Sequence, residues 1–149
     1  MNEKKGVDPY AAGIIKENVY LKAKKRKLKG KIVVVLDLKL DNRGYQLIST
    51  PSRVVLSQEI HELISTAEDK SKPGGEVNRV GVIGFVEFTT GGVLAVGDRV
   101  VIRGKEIGFI AGFDETHTPN HLNIIIKASD RVSGADLGID IEDDVMFSR

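Results

Sequence analysis

The chain has 149 residues, of which 41% are hydrophobic and 29% charged, and its formal net charge is +1. This composition is typical of one globular domain with an ordinary core. The absence of cysteine excludes disulfides, thiolate chemistry and cysteine-ligated metal clusters. No apolar run approaches the roughly 20 residues that a bilayer crossing needs, and "MNEKKGVDPY" lacks the apolar core of a signal peptide. We therefore expect a cytoplasmic protein with no membrane association.

Residues 1–30 predict a basic N-terminal arm that contains a helix. Residues 1–31 carry ten Lys or Arg against three Asp or Glu. Asp8 can cap a helix and Pro9 suits its first turn, whereas Gly30 is a plausible stop. An apolar stripe follows the cap, made of Tyr10, Ile14, Ile15 and Val19.

The basic run at the end of this arm has two interpretations. Lys24, Lys25, Arg26 and Lys27 have the charge to bind nucleic-acid phosphates. The alternative is a solvated helix end that is attracted to the acidic C-terminal segment "GIDIEDDVMF". No aromatic residue interleaves the run and no recognised nucleic-acid motif accompanies it, so the second interpretation is favoured and the first stays open.

Residues 31–149 predict a single, mainly β domain with minor α content. "KIVVVLDLKL", "RVGVIGFVEF", "RVVIRG", "KEIGFIAGF" and "HLNIIIKA" are short β-branched runs separated by turn residues. Between the first two runs, "LSQEIHELIST" has Leu56, Ile60, Leu63 and Ile64 at helical spacing and predicts one short helix. Such close spacing of short strands favours a small β-barrel over a parallel sheet with crossover helices.

Residues 92–127, "GVLAVGDRVVIRGKEIGFIAGFDETHTPNHLNIIIK", resemble part of the glucitol-type phosphotransferase IIA component in a Gly-Asp turn and a short Ile-x-Gly strand. The resemblance implies a fold. The strand that carries the phosphoryl-accepting histidine in that family is "GVIGFVEFTTGG" here and has no histidine. As a whole, the chain resembles a small uncharacterised family of anaerobic bacteria and archaea, through "VVVLDLKLDNRG", "GFVEF" and "IAGFDETHTPNHLNIII". This second resemblance identifies no catalytic residue, and the cofactor stays unknown.

The stretch "GFDETHTPNHLNIIIK" is the best candidate for a functional site. If its second half is a strand, Leu122, Ile124 and Ile126 share the core face, and His121 and Asn123 face outward. Asp114, Glu115, His117 and Asn120 lie on the preceding loop, where binding residues concentrate.

Three interpretations of this stretch remain open. His117 and His121 could ligate a metal together with Asp114 or Glu115, although Pro119 between the histidines removes the usual helical spacing. A histidine oriented by a carboxylate could act in acid–base catalysis. The third interpretation is structural, with polar side chains that bond the turn backbone. The remaining histidine, His61, lies between Glu59 and Glu62 and is predicted on the solvent side of a helix.

Our leading hypothesis is a non-catalytic module for small-ligand binding or assembly, with its polar surface at Asp114–Asn123. The alternatives are a metal-dependent or acid–base enzyme that uses Asp114, Glu115, His117 and His121, and nucleic-acid binding through Lys22–Lys31. A homo-oligomer is also expected, because strands such as "IVVVLDL" and "NIIIKA" need covering.

Overall fold

The computed structural model describes residues 6–149, and the chain is mainly β there. Eleven strands and one short helix are formed: β1 Leu28–Leu40, β2 Tyr45–Gln46, β3 Ser52–Val55, β4 Ile60–Thr66, β5 Glu76–Val77, β6 Val80–Phe88, β7 Gly92–Ala95, β8 Arg99–Ile102, β9 Lys105–Asp114, β10 Asn123–Lys127, α1 Gly134–Leu137 and β11 Asp144–Ser148. The prediction of a mainly β fold is confirmed.

Seven of the strands form a sheet that closes on itself. Their order around the ring is β1, β11, β8, β9, β10, β4 and β6, and β6 returns to β1. All of these pairs are antiparallel except β4 with β10, which is parallel. Two short antiparallel pairs, β2 with β5 and β3 with β7, lie outside the ring. Since the sheet is closed, every ring strand pairs with a neighbouring ring strand on both sides.

The alternation of side chains along the ring strands creates two apolar clusters. The larger cluster includes Leu63, Phe113 and Ile124 and occupies the interior of the ring. The smaller one contains Ile64 and Ile125 from the opposite face of β4 and β10, together with side chains from the outer β2–β5 pair. Because these strands are covered on both faces, they are apolar on both faces, as in buried parallel sheets.

The predicted N-terminal helix is not present in residues 6–30. Gly13 has a φ of 73°, in the left-handed region, which interrupts a right-handed helix. The first five residues of the predicted arm lie outside the part of the chain described. Gly30 lies inside β1 instead of ending a helix, and an added Cβ there would stand 2.6 Å from the Glu87 carbonyl oxygen.

The arm is instead held against the folded body by specific contacts. Asn18 Nδ2 donates to the Val96 carbonyl at 2.7 Å, and Lys25 Nζ lies 2.6 Å from the fully buried Asp98 carboxylate. Arg26 donates to a backbone carbonyl, that of Gly91, at 3.1 Å. Within the predicted basic run, therefore, one cation is neutralised inside the protein and a second is engaged with the backbone.

The short helix predicted from residues 56–66 is also wrong, because most of this segment is strand β4. The spacing of Ile60, Leu63 and Ile64 suggested one helical face, but the strand is buried on both sides. Apolar residues on both faces remove the two-residue period that identifies a half-exposed strand. His61 is consequently buried, 6% exposed, and not on a solvent-facing helix surface.

The homo-oligomer remains a prediction: the isoleucines of "NIIIKA" are covered within one chain, whereas Val34 and Leu38 of "IVVVLDL" are exposed. Ile124, Ile125 and Ile126 are each 0% exposed, and β1 pairs with both β11 and β6. Within residues 6–149, no helix combines the length and apolar character that a bilayer crossing requires.

We expect Gly84→Ala to destabilise the ring strongly. Gly84 has a φ of 151° in β6, and a Cβ there would overlap the Val34 carbonyl oxygen of the neighbouring strand. Gly104→Ala is the matched control, because Gly104 also has a positive φ, 78°, but no atom within 4 Å of an added Cβ. Urea unfolding followed by circular dichroism should show a loss of about 1 kcal/mol for the control and of more than about 3 kcal/mol for Gly84→Ala. Equal losses would contradict the close approach of β6 to β1.

Candidate functional site

A row of four residues crosses adjacent ring strands at one level of the sheet. Asp114 of β9 pairs with Asn123 of β10, Asn123 pairs with Glu62 of β4, and Glu62 pairs with Phe85 of β6. Directly paired residues in a sheet project from the same face. This face also carries Ile64 and Ile125, so the row continues the outer apolar cluster with polar groups.

Asp114 holds one end of the row in a dense set of hydrogen bonds. Its Oδ1 accepts from the Thr116 backbone N–H at 3.0 Å, from the Thr116 hydroxyl at 2.6 Å and from Asn123 Nδ2 at 3.0 Å. Its Oδ2 accepts from the Gln46 backbone N–H at 2.8 Å. Burial alone would raise the pKa of Asp114, but the hydrogen bonds from Thr116, Asn123 and Gln46 outweigh it and lower that pKa.

The loop between β9 and β10 brings two histidines over the row. The rings of His117 and His121 lie 5.0 Å apart, centroid to centroid. His121 packs edge-on against Phe85 with centroids 4.9 Å apart, and the His121 backbone N–H donates to the His117 carbonyl at 3.2 Å. His117 is exposed, whereas the side chain of His121 is 13% exposed.

The two ring nitrogens of His121 have different surroundings. Nδ1 lies 2.6 Å from Asn120 Oδ1, and because an amide oxygen only accepts, Nδ1 carries the proton. Nε2 is then a lone-pair acceptor; it is buried and has no hydrogen-bond partner. Burial, followed by the charges of His117 and His61, lowers the pKa of His121, and the nearby Asn123 side chain only partly opposes this.

Glu62 faces the unpartnered nitrogen of His121. Its Oε2 lies 3.7 Å from His121 Nε2, and its side chain is 11% exposed. Burial raises the pKa of Glu62, and the nearby positive charges of His117 and Arg43 only partly oppose this. The Glu62 and His121 pKa values therefore move towards each other, and both shifts favour the uncharged form of the side chain.

Arg43 and Tyr45 close the other side of the site. The Arg43 guanidinium carbon lies 4.1 Å from the centre of the Tyr45 ring, and its Nη2 lies 3.3 Å from the Thr116 hydroxyl and 3.4 Å from His117 Nε2. Burial raises the pKa of Tyr45 to about 12. Asn123 Nδ2 lies 3.3 Å from the other ring nitrogen of His117. The His117 ring is thus held between the Arg43 and Asn123 side chains.

His61 supports the site from the interior side of β4. Its Nδ1 accepts from the Leu122 backbone N–H at 2.9 Å, and its Nε2 lies 3.1 Å from Glu59 Oε1. The N–H donor fixes the proton on Nε2, which then donates to the carboxylate. Burial lowers the pKa of His61 in spite of the opposing Glu59 contact. A neutral His61 therefore anchors the start of β10.

Most of the residues singled out in the sequence come together. Asp114, His117, Asn120, His121 and Asn123 form one connected network. Two details differ from the prediction. The Glu115 side chain is exposed. Its backbone carbonyl accepts a hydrogen bond from the Thr118 hydroxyl within the turn. Asn123 was expected to face outward but is 0% exposed, because the loop and the outer pair β2–β5 cover that face.

Sequence reasoning missed Glu62, Arg43 and Tyr45. Glu62 was assigned to a helix, so its face was wrong, and its pairing with Asn123 depends on the parallel β4–β10 contact. Arg43 lies in "DNRG", which was interpreted only as a turn. If "IHELIST" is interpreted as a strand, alternation places Glu62 and His61 on opposite faces. Glu62 then shares a face with Ile60 and Ile64 and is a polar residue among apolar ones.

The metal site at His117 and His121 stays a prediction. In the described part of the chain, no group of three or more His, Cys, Asp and Glu side chains is arranged to hold a metal ion. Asp114, which was to complete the set, uses its carboxylate to accept hydrogen bonds from Thr116, Asn123 and Gln46.

We expect Asp114→Asn to destabilise the protein at neutral pH by about 2 kcal/mol, because hydrogen bonds to a buried charge are lost. The native pKa of Asp114 lies below its ordinary 3.8, so its stabilisation is present above pH 3.8 and is lost as pH falls through the native value. Urea unfolding at pH 7 and pH 3 should therefore show a large difference from wild type that shrinks on acidification. Glu115→Gln is the control on the exposed part of the loop. A difference in the free energy of unfolding between Asp114→Asn and wild type that does not depend on pH would contradict the prediction.

Glu62→Gln should have the opposite effect and stabilise the protein at pH 7. A native pKa above the ordinary 4.5 means that the folded protein loses stability as pH rises through that value. Removing the ionisable group should raise the melting temperature by about 2–4 °C, as roughly 1 kcal/mol does in a chain of this size. The gain should vanish at pH 4, where Glu62 is protonated in wild type as well. A Gln variant that melts lower than wild type at pH 7 would contradict the burial cost.

Comparison with known proteins identifies a family for the chain but no activity. No curated protein and no solved structure matches the chain. The likeness to the phosphotransferase component and the taxonomic range of the relatives therefore stay predictions. A family model described as a family of unknown function, DUF6917, matches residues 22–148, which contain the entire ring and the row that crosses it. The chain belongs to this family of unknown function, DUF6917.

Proposed function

We propose that the protein binds a small polar ligand at the histidine–carboxylate cluster, by which we mean Glu62, Asp114, His117, His121 and Asn123. One observation carries the proposal: two buried polar atoms of this cluster, His121 Nε2 and Asn123 Oδ1, have no hydrogen-bond partner. Buried polar atoms are paired in the great majority of cases, so two in one cluster indicate a place for a further group.

The energetic cost of this arrangement supports a ligand. An unsatisfied buried donor or acceptor costs about 1–3 kcal/mol, and an ionised Glu62 beside them adds to that cost. A ligand that supplies the missing partners recovers this energy on binding. The surrounding framework is rigid, because Asp114 and Asn123 lie on paired strands and are hydrogen-bonded to each other. Rigid acceptors lose little entropy when a ligand binds.

Acid–base catalysis is the second candidate function, favoured by the opposite pKa shifts of Glu62 and His121. Two groups whose pKa values converge exchange a proton at little energetic cost. Their atoms are 3.7 Å apart, which is longer than a hydrogen bond and leaves room for a small shift to close the pair. In this function the exposed His117 would contact the substrate at the mouth of the cluster.

The other functions remain predictions with less support. Assembly into a homo-oligomer keeps only part of its basis, because β10 is buried within the chain and only Val34 and Leu38 of β1 are exposed. Nucleic-acid binding through Lys22–Lys31 is weakened because Lys25 is paired with Asp98 and Lys31 with Asp144, which leaves Lys22, Lys24, Lys27 and Lys29 as its exposed lysines.

Ligand binding can be tested without knowledge of the ligand. We expect a library of small polar fragments, screened by ¹H–¹⁵N correlation spectroscopy, to give hits that shift resonances of the histidine–carboxylate cluster. Asn123→Ala should abolish those hits. The matched control is Asn78→Ala, which removes another side chain with a buried unpartnered Oδ1, outside the cluster. Hits that survive Asn123→Ala, or a library that shifts no resonance of the cluster, would overturn the proposal.

A further inference from the structure

We infer that the ligand of the histidine–carboxylate cluster presents a primary ammonium group to Glu62, His121 and Asn123. This inference rests on the proposed function and specifies the chemical class of the ligand. Its basis is that every polar atom left over in the buried part of the cluster is an acceptor. A ligand that complements them must therefore donate hydrogen bonds, and it encounters a carboxylate while doing so.

Asn123 supplies the first acceptor. Its Nδ2 donates to Asp114 Oδ1 at 3.0 Å. The reversed orientation of the amide would place its oxygen against that carboxylate oxygen, so the assignment of the two amide atoms is fixed by Asp114. Asn123 Oδ1 is therefore the free end of the amide, and it is a buried, unpartnered acceptor on a residue that is 0% exposed.

His121 supplies the second acceptor. Because Nδ1 donates its proton to Asn120 Oδ1 at 2.6 Å, the unpartnered Nε2 presents a lone pair. An incoming carboxylate or phosphate would find no N–H here unless His121 took up a second proton. Burial and the neighbouring histidines lower the pKa of His121 and so oppose that protonation.

Glu62 supplies the third acceptor and the negative charge. The 3.7 Å between Glu62 Oε2 and His121 Nε2 is short enough for one donor atom to lie about 2.9 Å from both. Asn123 is the direct cross-strand neighbour of Glu62, on the same face. An ammonium group has three N–H donors and no acceptor, so it matches three acceptors on adjacent positions.

The positive groups nearby do not compete for these acceptors. Arg43 is stacked on Tyr45 and directed to Thr116 and His117, and Asp114 uses its carboxylate on Asn123, Thr116 and Gln46. The cluster therefore resembles the surroundings of a buried lysine amine with the lysine left out. A guanidinium is larger and planar and would pair with both oxygens of the Glu62 carboxylate, whereas a single ammonium nitrogen can contact Glu62 Oε2 and His121 Nε2 together across 3.7 Å.

The inference predicts a direction for the pH dependence. Ammonium binding needs Glu62 ionised and His121 neutral, so affinity should rise as pH increases through the titration of both. The charged or titratable groups that face Glu62 are His121 and His117 from the loop, Arg43 from the segment after β1, Tyr45 from β2 and Asp114 from β9. His61 is near His121 from the other face of β4. An anionic ligand would show the reverse dependence, because it needs a protonated histidine.

The test uses three probes on the full chain: n-butylammonium chloride, sodium butyrate and tetramethylammonium chloride, titrated at matched ionic strength. Butylammonium and butyrate share one carbon chain and differ in the polar group, and tetramethylammonium has the positive charge without an N–H donor. The readout is the ¹⁵N shift of the His121 ring and the backbone shifts of Asn123 and Glu62. We expect only butylammonium to shift them, with tighter binding at pH 8 than at pH 5.

Two variants complete the design. Glu62→Gln should weaken butylammonium binding at least tenfold at pH 8, and Glu115→Gln, the control with an exposed carboxylate on the same loop, should leave it unchanged. Butyrate binding at His121 and Asn123 would overturn the ammonium assignment and leave the proposed function standing. Equal binding of tetramethylammonium would show that positive charge alone is sufficient for binding, and this would also overturn the ammonium assignment. No shift with any probe, together with a fragment library that fails at the same residues, would reject both.

Discussion

The hydrogen-bonded carboxylate of Asp114 is the constraint on which the site depends. It accepts from the Gln46 backbone, from Thr116 at the start of the loop and from the Asn123 side chain of the next ring strand. These three contacts join the outer β2–β5 pair, the β9–β10 loop and the ring. Because Asp114 orients the Asn123 amide, it decides which atom of that amide is left free. The chemical character of the cluster, a set of acceptors, follows from this one buried charge.

Local patterns in the sequence were sufficient for the fold class and for half of the site. β-branched runs separated by turns predicted the strands of the second half, and alternation assigned Leu122, Ile124 and Ile126 to the core, where they are found. The concentration of Asp114, His117, Asn120 and His121 around one loop was visible because these residues are neighbours in sequence. Their connection through Asn123 needs only the antiparallel pairing of β9 with β10.

The error within the ring has one physical cause, which is burial from both sides. β4 carries Leu63 into the interior of the ring and Ile64 into the outer cluster, so its apolar spacing matches a helix as well as a strand. The N-terminal segment fails for a different reason. Its apolar stripe and cap favour a helix, but Gly13 in the left-handed region and long-range contacts such as Lys25 with Asp98 hold it in turns and extended chain. The residues that cover the outer face of β4, and the partner of Lys25, are distant from these segments in the sequence.

The parallel contact between β4 and β10 has a consequence for the order of events during folding. It joins residues that are 61 positions apart, as in the hydrogen bond from Leu122 to His61, whereas β8 and β9 or β9 and β10 are joined by short connections. Distant pairings carry a larger loop-closure cost and form late. Glu62 therefore meets Asn123 and His121 only when this seam of the sheet closes. The ring shift of His121 thus doubles as a kinetic marker for the closure of the β4–β10 seam, because no partially folded species with this seam open has its surroundings.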